Sequence, residues 1–302
     1  MQRKNIPYLI IGGTTKAATT SVFNYLSAHP QVAKSKYKEM RFFLDDDYPL
    51  EKKVQFGSIA DYNANFENYS EDKTCVEATP DYLYSSSSLG KIKTTLPDFK
   101  LIFILRDPVT RLQSWFNFAK QNNSIAADCT IKDYFLLQQK RMKERRPQYL
   151  LALEQGLYSN YLKNFLKDVD KEKISIIFYE DIATDPKLQM QKIANFAGID
   201  RNYFDNYTFE ISNKTVELKN PEMHARIKNS KKKVKQLLAN SNGIRKLVRK
   251  TFKILEPIYL SFNKKKTTKV NIEKNILEDI REYYQNEKQA IYELTGVKPP
   301  WN

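Results

Sequence analysis

The stretch YLIIGGTTKAATTS, residues 8–21, decides the fold. Tyr8, Leu9, Ile10 and Ile11 form an uninterrupted apolar run of strand length, as expected for a strand buried on both faces. Gly12 and Gly13 stop the run where a tight turn is expected. Lys16 follows, then two small residues, Ala17 and Ala18, then three hydroxyls, Thr19, Thr20 and Ser21. Val22, Phe23 and Leu26 next keep helical spacing. Strand, glycine turn, lysine, hydroxyls and helix together describe a phosphate cradle. Backbone N–H groups of the turn and of the open first helical turn converge on one point, where the helix dipole favours an anion. The expected contacts are Thr15, Lys16, Ala17, Ala18, Thr19, Thr20 and Ser21. Taken alone, the stretch also fits a plain strand-to-helix connection capped by Thr19 or Thr20. It is not a Walker A loop, which needs glycine directly before the lysine and Ser or Thr directly after it. Thr15 and Ala17 hold those places, so the hydroxyl that a P-loop offers to magnesium is missing and no metal is expected.

Two more apolar runs stand out, KLIFIL at residues 100–105 and KISIIFY at residues 173–179. Helical spacing separates the three runs, which predicts an α/β fold: a central parallel β-sheet flanked by helices. Ligands of open α/β sheets bind at the carboxyl ends of the strands. Arg106 directly follows the second run and therefore shares an edge with Lys16 if the two strands are parallel neighbours. Arginine suits bidentate phosphate recognition, and Ser114, eight residues on, lies in the following helix. Arg106 pairing with Asp107 is the plainer reading.

Residues 34–44, KSKYKEMRFFL, set Glu39 among Lys36, Lys38 and Arg41. Such a carboxylate is either a surface ion pair or a general base kept ionised by its cations, and spacing does not choose. His29, before Pro30, reads as a capping or packing residue at a helix end. Residues 149–166 read as a helix interrupted by Gly156, and residues 276–294 as one amphipathic helix.

With 302 residues and 41% hydrophobic content, the chain is expected to form a single domain over residues 1–302. Cys75 and Cys129 are too few for a disulfide framework or a cysteine zinc site. No run is apolar enough to span a membrane and no signal peptide precedes the first strand, so a cytoplasmic location is expected. The net charge of +15 is concentrated: residues 228–275 carry fifteen Lys or Arg against Glu256 and Glu273. Within this basic insertion Ile244, Leu247, Val248, Phe252, Leu255 and Tyr259 keep helical spacing, with Pro257 a break. It packs on the domain, lies peripherally on an anionic membrane such as the inner face, or binds an acidic polymer. No nucleic-acid partner is expected.

The chain resembles the sulfotransferases that use 3′-phosphoadenosine 5′-phosphosulfate (PAPS), and is closer to their carbohydrate (heparan-sulfate-like) and bacterial branches than to the cytosolic small-molecule branch. The family's first motif, a strand followed by G-x-x-K-x-x-T-T/R, is matched from Gly13 to Thr20, with Ala17 and Ala18 where glycines are common. Its L-R-D-P-x-x-R-x-x-S is matched at every fixed place from Leu105 to Ser114. K-E-x-H-F-F becomes Lys38-Glu39-Met40-Arg41-Phe42-Phe43, and E-K-T/S-P-x-Y becomes Glu77-Ala78-Thr79-Pro80-Asp81-Tyr82. The closing segment, Tyr283 to Trp301, is also similar.

The resemblance implies a P-loop-like sulfotransferase fold and PAPS as co-substrate, with no metal. Lys16 and the cradle would hold the 5′-phosphosulfate, Arg106 and Ser114 the 3′-phosphate, and Lys214 resembles a later nucleotide contact. Lys16 and Glu39 would be catalytic, and Arg41, Glu77 and Tyr82 are candidates for the acceptor side. The acceptor would be a carbohydrate, glycolipid or oligosaccharide, sulfated at a hydroxyl or amine. Two other readings stay open: a P-loop-type nucleotide kinase, and a catalytically silent protein that binds anionic glycans or membranes.

Overall fold

Side chains alternate along the first strand, β1 (Tyr8–Gly13), and both sides are buried. Tyr8 and Ile10 face one hydrophobic layer, Leu9 and Ile11 the other, which is why the run carries no polar residue. The structure, a computed structural model, describes residues 7–210 and 274–301. β1 lies at the centre of one parallel sheet with β2 (Val32–Lys34), β3 (Thr74–Ala78), β4 (Phe99–Leu105) and β5 (Ile174–Phe178), in the order β2-β3-β1-β4-β5. Tyr8 pairs with Cys75 of β3 on one side and with Phe99 of β4 on the other. β1 and β4 are thus parallel neighbours, and their carboxyl ends deliver the cradle and Arg106 to one edge.

One face of the sheet packs Leu101, Phe103 and Leu105 against Leu162 and Phe165 of α6 (Tyr158–Asp168), with Trp301 in the same layer. The other packs Ile102 and Ile104 against α1 (Thr19–Ser27) and α8 (Pro186–Ala197), through Val22, Leu26, Met190 and Ile193. Each such buried aliphatic side chain contributes about 1.5–3 kcal/mol. A third layer joins α4 (Pro108–Gln121), α5 (Ile131–Lys143) and α9 (Lys274–Tyr283) through Leu112, Phe116, Phe135, Ile276 and Ile280. The remaining helices are α2 (Ile59–Asn63), α3 (Ser88–Thr95), α7 (Tyr179–Thr184) and α10 (Glu287–Thr295).

The expected helix over residues 149–166 is broken at Gly156: short 3-10 turns at Gln148–Leu150 and Glu154–Gly156 lead into α6. Residues 276–294 form two helices rather than one. The break lies at Tyr284, whose hydroxyl turns inward to donate to the Leu153 carbonyl. A Cβ at Gly156 would sit 2.5 Å from that hydroxyl, so the glycine makes the close approach. His29 is a packing residue at the end of α1: its Nε2 bonds the Asp200 carbonyl at 2.9 Å and its Nδ1 accepts the Gln31 N–H. The basic insertion, residues 228–275, lies outside the described residues except where it enters α9. Among the described residues no helix is long and apolar enough to cross a membrane.

Candidate active site

β1 runs through both glycines, so they do not make the turn. They are needed for packing: a Cβ on Gly13 would meet Leu83 Cδ2 at 2.9 Å, and one on Gly12 would meet Phe103 at 3.0 Å. The turn falls instead on Lys16 and Ala18, whose φ angles of 67° and 61° are left-handed. Ala18 sits at the N-cap of α1 and supplies no side-chain cap. The first-turn N–H groups of α1 are therefore left to other acceptors. Ala17, Thr19 and Ser21 are buried around this turn, and Thr20 is half-buried.

Three cations support the loop. Arg106 Nη1 donates to the Lys16 carbonyl at 3.1 Å and its Nε to Thr110 Oγ1 at 3.1 Å, while its guanidinium lies over the Tyr179 ring. Arg111 is fully buried and spends its donors on neutral acceptors: the Thr15 carbonyl and hydroxyl, the Ala152 carbonyl, the Tyr84 hydroxyl and Gln155 Oε1. Lys16 rests over the Phe118 ring, 4.3 Å from its centre. Burial, helped by Arg106 and Arg111, pushes the Lys16 amine down to about 8. Among the described residues none of the three forms an ion pair, so their positive field is left for a ligand. Ser114 is half-buried on α4, three residues after Arg111 and hence on the same helix face. Lys214 lies outside the described residues.

The corner after β4 is locked from the far end of the chain. Glu180 accepts the Asp107 N–H at 2.9 Å through one oxygen and the Trp301 indole N–H at 3.2 Å through the other. The Tyr158 hydroxyl donates to the Arg106 carbonyl at 2.7 Å.

The candidate base stands at the neighbouring strand end. The Lys38 carbonyl accepts the Ala78 N–H at 3.0 Å, which fastens the base loop to the end of β3, beside β1. Glu39 Oε1 accepts from Lys38 Nζ at 2.9 Å, and Oε2 from Arg41 Nη2 at 3.0 Å. Burial pushes the Glu39 carboxyl up, but the two cations outweigh it and hold it below its ordinary value. The carboxylate is thus ionised and partly solvent-accessible, at 32% side-chain exposure. Arg41 also donates to the Glu51 carbonyl, and its own φ is left-handed at 59°.

Glu77 and Tyr82 take another place from the open one expected of acceptor contacts. Both are fully buried beneath the base loop, with no surface to offer an acceptor. The Tyr82 hydroxyl accepts the Phe43 N–H at 3.2 Å, so Tyr82 supports the loop from below. Asp81, next to them, accepts from the Tyr48 hydroxyl, and burial pushes its carboxyl up to about 6. Arg111 fills the second arginine of the L-R-D-P-x-x-R-x-x-S pattern, and that place was its signal in the sequence. Tyr84 and Gln155 carried no signal of their own.

A model of the sulfotransferase domain matches residues 7–253. The bifunctional heparan sulfate N-deacetylase/N-sulfotransferase 2 of Homo sapiens is 27% identical over 213 residues, 67% of this chain and 23% of that protein. The heparan sulfate glucosamine 3-O-sulfotransferase 3A1 of Mus musculus is 25% identical over 206 residues, 68% of this chain and 49% of that protein. The membrane-associated sulfotransferase kil1 of Dictyostelium discoideum is 35% identical over 119 residues, 38% of this chain and 24% of that protein. The chain thus spans between about a quarter and a half of the length of these relatives. The crystal structure of a sulfotransferase from Alicyclobacillus acidocaldarius shares the fold, with a TM-score of 0.58 at 20% identity over 80% of this chain and 98% of that one. With a family match covering most of its length, and the two motifs that follow β1 and β4 folded onto one sheet edge, the chain belongs to the sulfotransferase family.

Proposed function

We propose that the chain transfers the sulfuryl group of PAPS to a hydroxyl or amine of a carbohydrate-type acceptor: a saccharide, glycolipid or oligosaccharide. The observation that carries this reading is the convergence of Lys16, Arg106 and the buried Arg111 on one loop, with no ion pair to any of them among the described residues. Such a site suits a ligand with two anionic ends. Lys16 and the first-turn N–H groups of α1 receive the 5′ end, and Arg106 with Ser114 the 3′-phosphate. The acceptor oxygen or nitrogen forms a bond to sulfur while the bond from sulfur to the 5′-phosphate oxygen breaks in line. Glu39 takes the acceptor's proton, and Lys16 stabilises the charge that develops on the leaving oxygen. Positioning and charge stabilisation dominate this type of transfer, as they do in phosphoryl transfer. The carbohydrate class is supported by the heparan sulfate enzymes among the relatives.

Calorimetry with 3′-phosphoadenosine 5′-phosphate (PAP), beside ATP with magnesium, tests the nucleotide half. Tight magnesium-independent binding of PAP, lost in Arg106→Ala, is the expected result; preference for ATP with magnesium sinks the reading. Transfer from labelled PAPS to a panel of desulfated saccharides, abolished in Glu39→Gln, tests the acceptor half.

A further inference from the structure

Beneath the base loop lies a carboxyl that the proposed reaction does not use. Glu77 is fully buried, and so are the two tyrosines against it, Tyr62 of α2 and Tyr82. Glu77 Oε1 and the Tyr62 hydroxyl each lack a hydrogen bond of normal geometry. Burying a carboxyl in such a place is costly, and an apolar side chain would fill the same volume without that cost. The polar group therefore needs a reason.

Its contacts supply one. The Thr79 hydroxyl donates to Glu77 Oε2 at 3.4 Å, and the same oxygen of Thr79 accepts the backbone N–H of Arg41 at 3.2 Å. The Tyr82 hydroxyl, which lies against Glu77, accepts the backbone N–H of Phe43. Two N–H groups of the base loop, at residues 41 and 43, thus rest on hydroxyls, of which the Thr79 hydroxyl is bonded to the carboxyl and the Tyr82 hydroxyl lies against it. Between them Arg41 is held left-handed, a conformation that costs an L-residue roughly 1–2 kcal/mol and must be enforced by its surroundings. That conformation brings the Arg41 guanidinium onto Glu39.

We propose that Glu77 is the positioning residue of the base loop: through the Thr79 hydroxyl it fixes the backbone at Arg41 and so aims the Arg41 guanidinium at Glu39. The inference rests on the assignment of Glu39 as the base. Among the described residues no ion pair is made by Glu77. Its neighbours are Tyr62, Tyr82, Thr79 and the Met40 backbone, and burial pushes the carboxyl up to about 7. Glu39 is faced by Lys38 and Arg41 on its own loop and by Asp81 from the turn after β3.

The test compares Thr79→Val, Thr79→Ser, Glu77→Gln and Glu77→Leu in PAP binding and in sulfuryl transfer against pH. Thr79→Val is close to isosteric but cannot accept the Arg41 N–H. It is expected to leave PAP affinity within about twofold, to lower kcat by about tenfold and to move the acid limb of the kcat profile to higher pH. Thr79→Ser should restore both. Glu77→Gln, which still accepts and donates, should follow the wild type, and Glu77→Leu should follow Thr79→Val. An acid limb that stays in place in Thr79→Val, or a Thr79→Ser variant no better than Thr79→Val, overturns the proposal. If Glu77→Leu does not fold, Glu77→Met takes its place, and a wild-type acid limb in either variant also overturns the proposal. Full transfer activity in Glu39→Gln, or a wild-type chain that does not bind PAP, overturns the underlying reading instead.

Discussion

Arg111 reaches across 96 positions of sequence to hold Thr15 twice, by the backbone carbonyl at 3.1 Å and by the hydroxyl at 3.2 Å. The shape of the cradle is thus set by α4 as much as by its own residues. Arg111→Lys keeps the charge but replaces a rigid fork by a single ammonium. Several buried acceptors then lose their donor, each at a cost of about 1–3 kcal/mol. Denaturant unfolding should show a loss of roughly 3 kcal/mol or more, and PAP affinity should fall with it.

PAP binding should weaken in alkali. The Lys16 amine, pushed down to about 8 by burial and by Arg106 and Arg111, is charged at pH 7 and mostly neutral at pH 9. A bisphosphate ligand, with both phosphates doubly charged in this range, favours the charged form, so affinity should drop about tenfold between those values. Lys16→Arg should flatten the profile, since guanidinium does not titrate there. Calorimetry at several pH values checks it.

Two exchanges between glycine and alanine should act in opposite directions. Ala18 is left-handed, so Ala18→Gly removes a strain of about 1 kcal/mol and should raise the melting temperature. Gly13→Ala places a Cβ 2.9 Å from Leu83 and should lower it.

Glu287 should make stability fall with rising pH. It caps α6 from α10, accepting the Ser159 N–H at 2.8 Å and the Ser159 hydroxyl at 2.9 Å. Burial pushes its carboxyl from 4.5 up to about 7. Between those values the folded state keeps a proton that the unfolded chain has lost. This contribution is therefore most favourable below pH 4.5 and declines until pH 7. Glu287→Gln should match the wild type near pH 4.5 and exceed it above pH 7 by up to about 3 kcal/mol. Paired unfolding curves measure the difference.

The sequence made β1, β4 and β5 legible because strands buried on both faces are written as continuous apolar runs. The corner from β1 into α1 was legible because an apolar run gives way there to helical spacing. The three-residue β2 was not, since so short a run has no period. Nor was the true task of Gly12 and Gly13, because the side chains that crowd them, Phe103 and Leu83, come from elsewhere in the chain. The split between α9 and α10 was hidden for the same reason: it depends on Tyr284 finding the Leu153 carbonyl, 131 positions away. Glu77 was legible as a notable carboxylate, but its burial under the base loop was not, because depth is a property of the packed layers.

Trp301 meets a carboxylate 121 positions earlier, and that same carboxylate holds the backbone beside Arg106. The corner is therefore finished late: on the ribosome, the cradle and Arg106 emerge long before the residue that latches them. A chain that lacks Trp301 is therefore expected to hold the backbone beside Arg106 less firmly and to bind PAP more weakly than the full chain.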